Sequence, residues 1–390
     1  MIYLDNAAST RPAPEVLDAM ASAAREQYAN PSSAHGLGAA AARALDAARG
    51  EVAAALEAEP QEIVFTSGGT EADALGVLGA ARAARGKHIV VSALEHPAVM
   101  RAVEALAADG YAVDVVVPTA SGMIQPDDVA AAVKPETAVV AVMLVNNELG
   151  TLQPIPDIAR AIGVGDRPPG RRPHLHVDAV QGFGLMRLRA SALGGDTVAL
   201  SAHKLHGPRG VGALWIRPGS RLAPLWVGGG QERGVRGGTE NLPAIAGFAR
   251  AAALARRAIE NGMDQAVARL RDRLEAAAKA AVAARPTVSG VARAPHIASL
   301  SFTDLPAEPL LHALETRGVL ASAGSACASR TAGPSPTLKA IGVDDRTGVL
   351  RFSLSRETTA NEIEGAVTML RSAISEVAAT ARLANRRARG

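Results

Sequence analysis

The chain has 390 residues, 48% hydrophobic and 20% charged, which is enough to bury a large core in more than one domain and excludes a disordered protein. Its single cysteine excludes an intrachain disulfide and any zinc site built on two or more thiolates. The net charge of +3 is outweighed by four arginines in the last nine residues (Arg382, Arg386, Arg387 and Arg389), and 3% of residues are aromatic, so no basic face or stacking platform points to nucleic acid.

In chain order, two alanine-rich amphipathic helices come first, near 14–28 and 37–58. From about residue 60, short β-rich runs alternate with helical ones. The strands are expected at 62–66, 88–92, 112–117, 138–145, 174–178, 197–201 and 211–216, with helices over 70–85, 97–109 and 154–162. Near-continuous apolar strands separated by helices indicate a mostly parallel sheet covered on both faces. A helical segment over 242–284 leads into mixed strands and helices that end near Thr380. The expectation is an α/β protein: a large domain over 14–250 with a mostly parallel seven-stranded sheet, a smaller α+β domain from 1–13 with 251–380, and a basic tail at 381–390. The stretch 167–173, rich in Pro, Gly and Arg, reads as an exposed insertion. The longest unbroken apolar run, 138–145, is eight residues, against the ~18 that a membrane helix needs. No basic segment precedes an apolar one near Asp5, so the expected location is the cytoplasm.

In open α/β sheets, ligands gather beyond the carboxyl ends of the strands, and the polar segments of this chain fall there. Ser67-Gly68-Gly69-Thr70, between a strand and a helix, offers free N–H groups for an anion, or serves only as a capped turn. Asp178 ends an apolar strand, where it either holds a pyridinium nitrogen protonated or caps a helix. Lys204 lies one strand later, beside Ser201 and His203. Arginine cannot serve as an amine nucleophile, and five lysines stand among 41 cationic residues, so a lysine in this loop is informative. A surface lysine is the plain alternative. Anion loop, strand-end Asp and loop Lys, in that order, are the parts of a pyridoxal phosphate site. The pairs His174/His176 and His203/His206 lack an acidic or Cys partner at a zinc-type spacing, so no intrinsic metal is expected.

With these segments the chain resembles the cysteine desulfurases, pyridoxal-phosphate enzymes of fold type I in the class V aminotransferase group. The match runs from Tyr3-Leu4-Asp5-Asn6-Ala7-Ala8 through Asn30-Pro31-Ser32-Ser33, Phe65-Thr66-Ser67-Gly68-Gly69-Thr70-Glu71 and Glu95-His96. It continues through Val145-Asn146-Asn147-Glu148, Val177-Asp178-Ala179-Val180-Gln181, Ser201-Ala202-His203-Lys204 and Arg236-Gly237-Gly238-Thr239. It ends with Ser325-Ala326-Cys327-Ala328-Ser329 and Arg351-Phe352-Ser353.

The resemblance implies a role for each position. Lys204 would be the Schiff-base lysine, Asp178 the pyridinium partner and Gln181 the contact to the ring hydroxyl. His96 would stack on the ring and shuttle protons. Gly69, Thr70, Ser201 and His203 would hold the phosphate, with Thr239 reaching over from the second subunit of a homodimer. Asn147, beside the cofactor, and Arg351 would take the carboxylate of L-cysteine, for which a guanidinium fork is well suited. Cys327, in the small, polar segment 322–329, would accept the sulfur as a persulfide and pass it on, leaving L-alanine. The stretch from Cys327 to Pro334 resembles the longer loop form of the family. That form belongs to the branch serving iron–sulfur scaffolds and tRNA thiolation, where the thiol can meet an iron–sulfur cluster during transfer. Thr331-Ala332-Gly333 and Pro336 depart from its pattern. The competing readings are a selenocysteine lyase or another class V aminotransferase or lyase, and, outside enzymes, a cofactor-free interaction module.

Overall fold

The computed structural model describes residues 1–165, 172–282, 284–324, 335–344 and 346–387. A short strand β1 (Ile2–Tyr3) opens the chain. The central sheet follows, from β2 (Ile63–Thr66), β3 (His88–Ser92), β4 (Ala112–Val116), β5 (Thr137–Ala141), β6 (His174–Asp178), β7 (Thr197–Ser201) and β8 (Gly212–Ile216). Its spatial order is β2-β8-β7-β6-β5-β3-β4. Of the seven, only β8 runs against its neighbours. β3, β5 and β7 are buried at every residue, as strands covered on both faces must be. After β4 the order reverses and β5 pairs on the other side of β3, so the crevice that receives ligands lies over β3 and β5.

The second region holds β9 (Arg285–Pro286), β10 (Ile297–Phe302), β11 (Val319–Leu320) and β12 (Gly348–Ser353). β12, β10 and β9 form an antiparallel sheet, while β11 pairs in parallel with β1. Two main apolar clusters result. One gathers Leu45, Val52, Phe65, Val177, Phe183 and Phe248 about the central sheet; the other gathers Leu4, Leu274, Leu300, Leu350, Phe352 and Leu370.

The elements differ from the sequence expectation in three informative places. The helical segment 242–284 is two helices, Leu242–Glu260 and Met263–Val282, because Asn261 caps the first and Gly262 turns the chain at φ 78°. The apolar run 138–145 leaves the strand at Ala141, yet Val142 and Leu144 still donate N–H bonds to the carbonyls of His176 and Asp178. The helix after β2 is Gly69–Ala74 and Ala80–Ala83 joined by a π turn, Leu75–Gly79. The ring of His176 lies against this turn: a Cβ on Gly76 would sit 2.2 Å from its Nδ1.

A buried ion pair fastens the glycine-rich segment that follows β8 to the sheet. Both Arg49 Nη atoms donate to the Glu232 carboxylate at 2.7 Å, and the same carboxylate accepts the Phe65 N–H at 2.9 Å. The two side chains are 9% and 1% exposed, so removal of the cation strands a buried charge. Arg49→Met should therefore destabilise the protein by about 3–5 kcal/mol in urea unfolding. A loss below about 1 kcal/mol would show that water replaces the guanidinium.

Candidate active site

A cavity of about 250 Å³ opens over the carboxyl ends of the central strands. Its wall takes Gly69 and Thr70 from the turn after β2, His96 from beyond β3 and Asn147 from beyond β5. Asp178 and Gln181 come from the end of β6 and its following turn, and Ser201, His203 and Lys204 from the end of β7. Arg351 reaches in from β12, and Ala7 and Ala8 from the N-terminal segment. Ten residues named from the sequence thus share one cavity. Thr239 is exposed and is not part of the wall, and Cys327 lies outside the described residues.

Asp178 is buried, and its Oδ1 accepts the Val180 N–H at 2.9 Å. The sequence alternatives for it merge here: it organises the following turn and also faces the cavity. Burial raises its proton affinity, while His96, the Val180 N–H and Lys204 lower it. A carboxylate held this deep suits a cationic N–H partner. His96 is likewise both a cap and a site residue. It caps the helix Pro97–Ala108, its Nδ1 accepting the Ala98 N–H at 3.1 Å. Because burial pushes its pKa down, with Lys204 adding to this and Asp178 opposing it, the ring is neutral and carries its proton on Nε2.

Lys204 ends the short turn Ala202–Lys204, and its Nζ donates to the carbonyls of Ala7 at 2.6 Å and Ala8 at 2.8 Å. Gln181 uses the same anchor, Nε2 donating to Ala7 O at 2.8 Å, while its Oε1 faces His296 Nε2 at 3.2 Å. Arg351 is 2% exposed; Nη1 donates to Asn147 O at 2.8 Å, Nη2 to Asp5 Oδ1 at 2.7 Å, and Nε has no hydrogen-bond partner among the described residues. The arginine therefore pairs with an internal acid and keeps one N–H, at Nε, without a partner among the described residues.

At the opposite end of the cavity Gly69 begins the helical stretch, in contact too close for a side chain: a Cβ there would approach Val180 Cγ2 at 2.9 Å. His203 Nδ1 lies 3.2 Å from Ser9 Oγ. Burial, helped by Lys204, Arg209 and His96, lowers its pKa to about 4, so it is a neutral donor there. With the N–H groups of the turn and the Ser201 hydroxyl, this end has the donors that a phosphate requires. The donor set as a whole fits pyridoxal phosphate: anion donors, a buried carboxylate and an amine line one cavity.

Sequence reasoning passed over one polar wall residue and several buried or partly buried ones that support the wall. Asp73 lines the cavity and was legible as the position one helical turn beyond Thr70. Asp5 and Glu95 sat inside quoted motifs but drew no role, and His296 carried no local signal. His174 and His176, for which the sequence offers no zinc-type partner, share the Thr197 hydroxyl at 2.8 and 2.9 Å. His206 Nδ1 faces the Arg11 carbonyl at 2.9 Å.

Over residues 2–365 the chain matches the family described as Aminotransferase class-V. It is 40% identical to a cysteine desulfurase of Trichormus azollae over 374 residues, 95% of this chain and 92% of that one. It is 38% identical to the cysteine desulfurase IscS of Methanosarcina thermophila over 371 residues, 93% and 89% of the two chains. Among solved structures, a NifS-like protein superposes with a TM-score of 0.88 at 33% identity, covering 96% of this chain and 99% of that one. The structure of SspA in complex with cysteine gives 0.77 at 33% identity, covering 92% and 100%. The chain belongs to the class-V aminotransferase family, with the fold of the type I pyridoxal-phosphate enzymes. Within that family, the relatives it resembles over nearly its whole length are cysteine desulfurases.

Glu95 provides a test of the site's electrostatics. Its Oε1 accepts from Ser92 Oγ and from the Met143 N–H at 2.7 Å, while Oε2 is buried with no hydrogen-bond partner among the described residues. Burial raises its pKa from 4.5 to about 8, with Asp178 adding to the rise. Between those values the folded protein holds a proton that the unfolded chain has released, so this group's stabilising contribution is full below 4.5 and declines as pH rises to about 8. Relative to wild type, Glu95→Gln should gain about 1.4 kcal/mol per pH unit across that window in urea unfolding. Parallel pH profiles for the two proteins would show that Glu95 is ionised.

Proposed function

We propose that this chain is a cysteine desulfurase: with pyridoxal 5'-phosphate it converts L-cysteine to L-alanine and retains the sulfur as a persulfide on Cys327. The reading is carried by one observation, that Lys204, Asp178 and His96, from three different strand ends, line one cavity together with Arg351. The cysteine desulfurases among its relatives favour this activity over a selenocysteine lyase or an aminotransferase acting on another amino acid.

In this reading Lys204 Nζ holds the cofactor, and Asp178 supports its ring nitrogen as a cation. Gln181 reaches the ring hydroxyl, and Gly69, Thr70, Ser201 and His203 hold the phosphate. Once bound, the cofactor supplies an electron sink for the bonds at the carbon bearing the amino group. Arg351 receives the substrate carboxylate on the guanidinium edge that Asp5 and the Asn147 carbonyl leave open, with the Asn147 side chain beside it. His96 relays protons through Nε2, the nitrogen that its capping bond leaves free. Across the whole reaction the C–S bond of cysteine breaks and an S–S bond to Cys327 forms. The thiol proton of Cys327 is balanced by the one that completes the methyl group of alanine.

The same reading places the chain in a homodimer. Thr239 is exposed, and near it Trp226 and Val227 stand 56% and 89% exposed, an apolar edge suited to a second copy whose phosphate end Thr239 completes. The domains are 14–250 and 1–13 with 251–380; Leu4 packs with Leu274, Leu300 and Leu370 in support of joining the two ends of the chain. Among the described residues no helix is long and apolar enough to cross a membrane, and the cytoplasm is the proposed location. An iron–sulfur scaffold or a tRNA-thiolation protein would accept the sulfur.

Two experiments separate cofactor attachment from sulfur transfer. Borohydride reduction followed by peptide mapping should place the cofactor on Lys204, and Lys204→Ala should give no adduct. A label on another lysine overturns the assignment. Cys327→Ser should keep the folded protein, its cofactor and the absorbance change with L-cysteine, but lose alanine and sulfide by about 100-fold or more, since a hydroxyl is a far weaker nucleophile than a thiolate. Wild-type product rates from that variant would make Cys327 a bystander.

A further inference from the structure

Behind the cavity wall a row of buried polar side chains runs beneath the helical stretch that follows β2. Asp73, which lines the cavity, has its Oδ1 3.2 Å from His176 Nε2. His176 Nδ1 lies 2.9 Å from Thr197 Oγ1, which lies 2.8 Å from His174 Nε2. Asp73, His176 and Thr197 are 2%, 0% and 0% exposed. The helix is shaped to admit this row: only a glycine fits at Gly76 against the His176 ring, and the π turn Leu75–Gly79 falls at that point. Alternation along β6 puts His174, His176 and Asp178 on one face, so the row ends beside the carboxylate that faces the cavity.

Three buried carboxyls, Asp73, Asp178 and Glu95, repel one another here, and close neighbours of like charge do not all ionise. Asp178 has the means to stay charged, since the Val180 N–H and the Lys204 ammonium both favour its anion. For Asp73, burial and the two other carboxyls all work against charge. Its hydrogen-bond partner is His176, an imidazole that burial and His174 keep neutral, with a pKa of about 3.

We propose that Asp73 is a positioning residue that keeps its proton, donates it to His176 Nε2, and so leaves Asp178 as the single charged carboxylate beside the cofactor's ring nitrogen. The hydrogens then point one way along the row. Asp73 Oδ1–H donates to His176 Nε2, His176 Nδ1–H to Thr197 Oγ1, and the Thr197 hydroxyl to His174 Nε2. The arrangement gives Asp178 a neutral neighbour where a second carboxylate would raise the proton affinity of both.

The inference rests on the cofactor reading above, and the experiment keeps the two apart. Infrared spectra of the holoenzyme at about pH 7, where exposed carboxyls are ionised, should show protonated-carboxyl bands that move on deuterium exchange. One band should vanish in Asp73→Asn, a different one in Glu95→Gln, and the Asp73 band should shift in His176→Phe, which lacks the acceptor. The pH titration of the cofactor's absorbance should be unchanged in Asp73→Asn, because one neutral group replaces another. If Asp73 were ionised, removing its charge would move that titration down by about one pH unit or more. A holoenzyme that loses no band in Asp73→Asn, or whose titration moves by that amount, overturns this inference alone. A protein that takes up no pyridoxal phosphate refutes the reading of the site and the inference with it.

Discussion

The structure is organised around a carboxylate, Asp178, held at the end of a strand in the middle of the sheet. Burying a charge is costly unless nearby groups replace what water supplied. Those groups come from different parts of the chain: the Val180 N–H from the following turn and Lys204 from beyond β7. The reversal of strand order after β4 opens the crevice in which they meet. Asp73 and Glu95 show the other side of the same constraint. Neither has a cation at hydrogen-bond distance among the described residues, and burial drives both toward the neutral acid.

The N-terminal segment binds the two apolar clusters to this centre. Ala7 and Ala8 present their carbonyls to Lys204, and Asp5 holds Arg351. The Asn6 side chain donates to Ser353 O at 2.9 Å, and Thr10 Oγ1 donates to His203 O and accepts the His206 N–H. A segment with little regular structure of its own thus fixes Lys204, Arg351 and His203 relative to one another. Backbone carbonyls suit this task, since they hold an ammonium without neutralising it and can release it when its chemistry changes.

Much of this was legible in the sequence because the sheet is mostly parallel. Each strand is a short apolar run with its polar residues concentrated at one end, so Asp178, Ser201 and Lys204 could be placed from pattern alone. What the pattern hid involves partners far away in the chain. Arg351 and Asp5 are separated by 346 positions, and no local signal joins them. The His296–Gln181 contact is equally remote. Alternation shows that the histidines of β6 share a face, but not that they are links in a hydrogen-bonded row whose other members lie on the helix after β2 and on β7. The run 138–145 continued past the end of its strand because 142–145 stays buried beside β6, and hydrophobicity reports burial without reporting backbone pairing.

The pairing of β1 with β11, together with the Asp5–Arg351 and Asn6–Ser353 bonds, also bears on how the molecule is made. Contacts this distant in sequence close late, since the loop between them must first be brought to order. On the ribosome the segment carrying Asp5, Ala7 and Ala8 emerges first, and β12 is synthesised only after all seven strands of the central sheet. The growing chain therefore contains Asp178 and Lys204 well before Arg351, which shares their cavity, is added. The cavity is thus a late product of synthesis, its wall incomplete until the residues of β12 have been added.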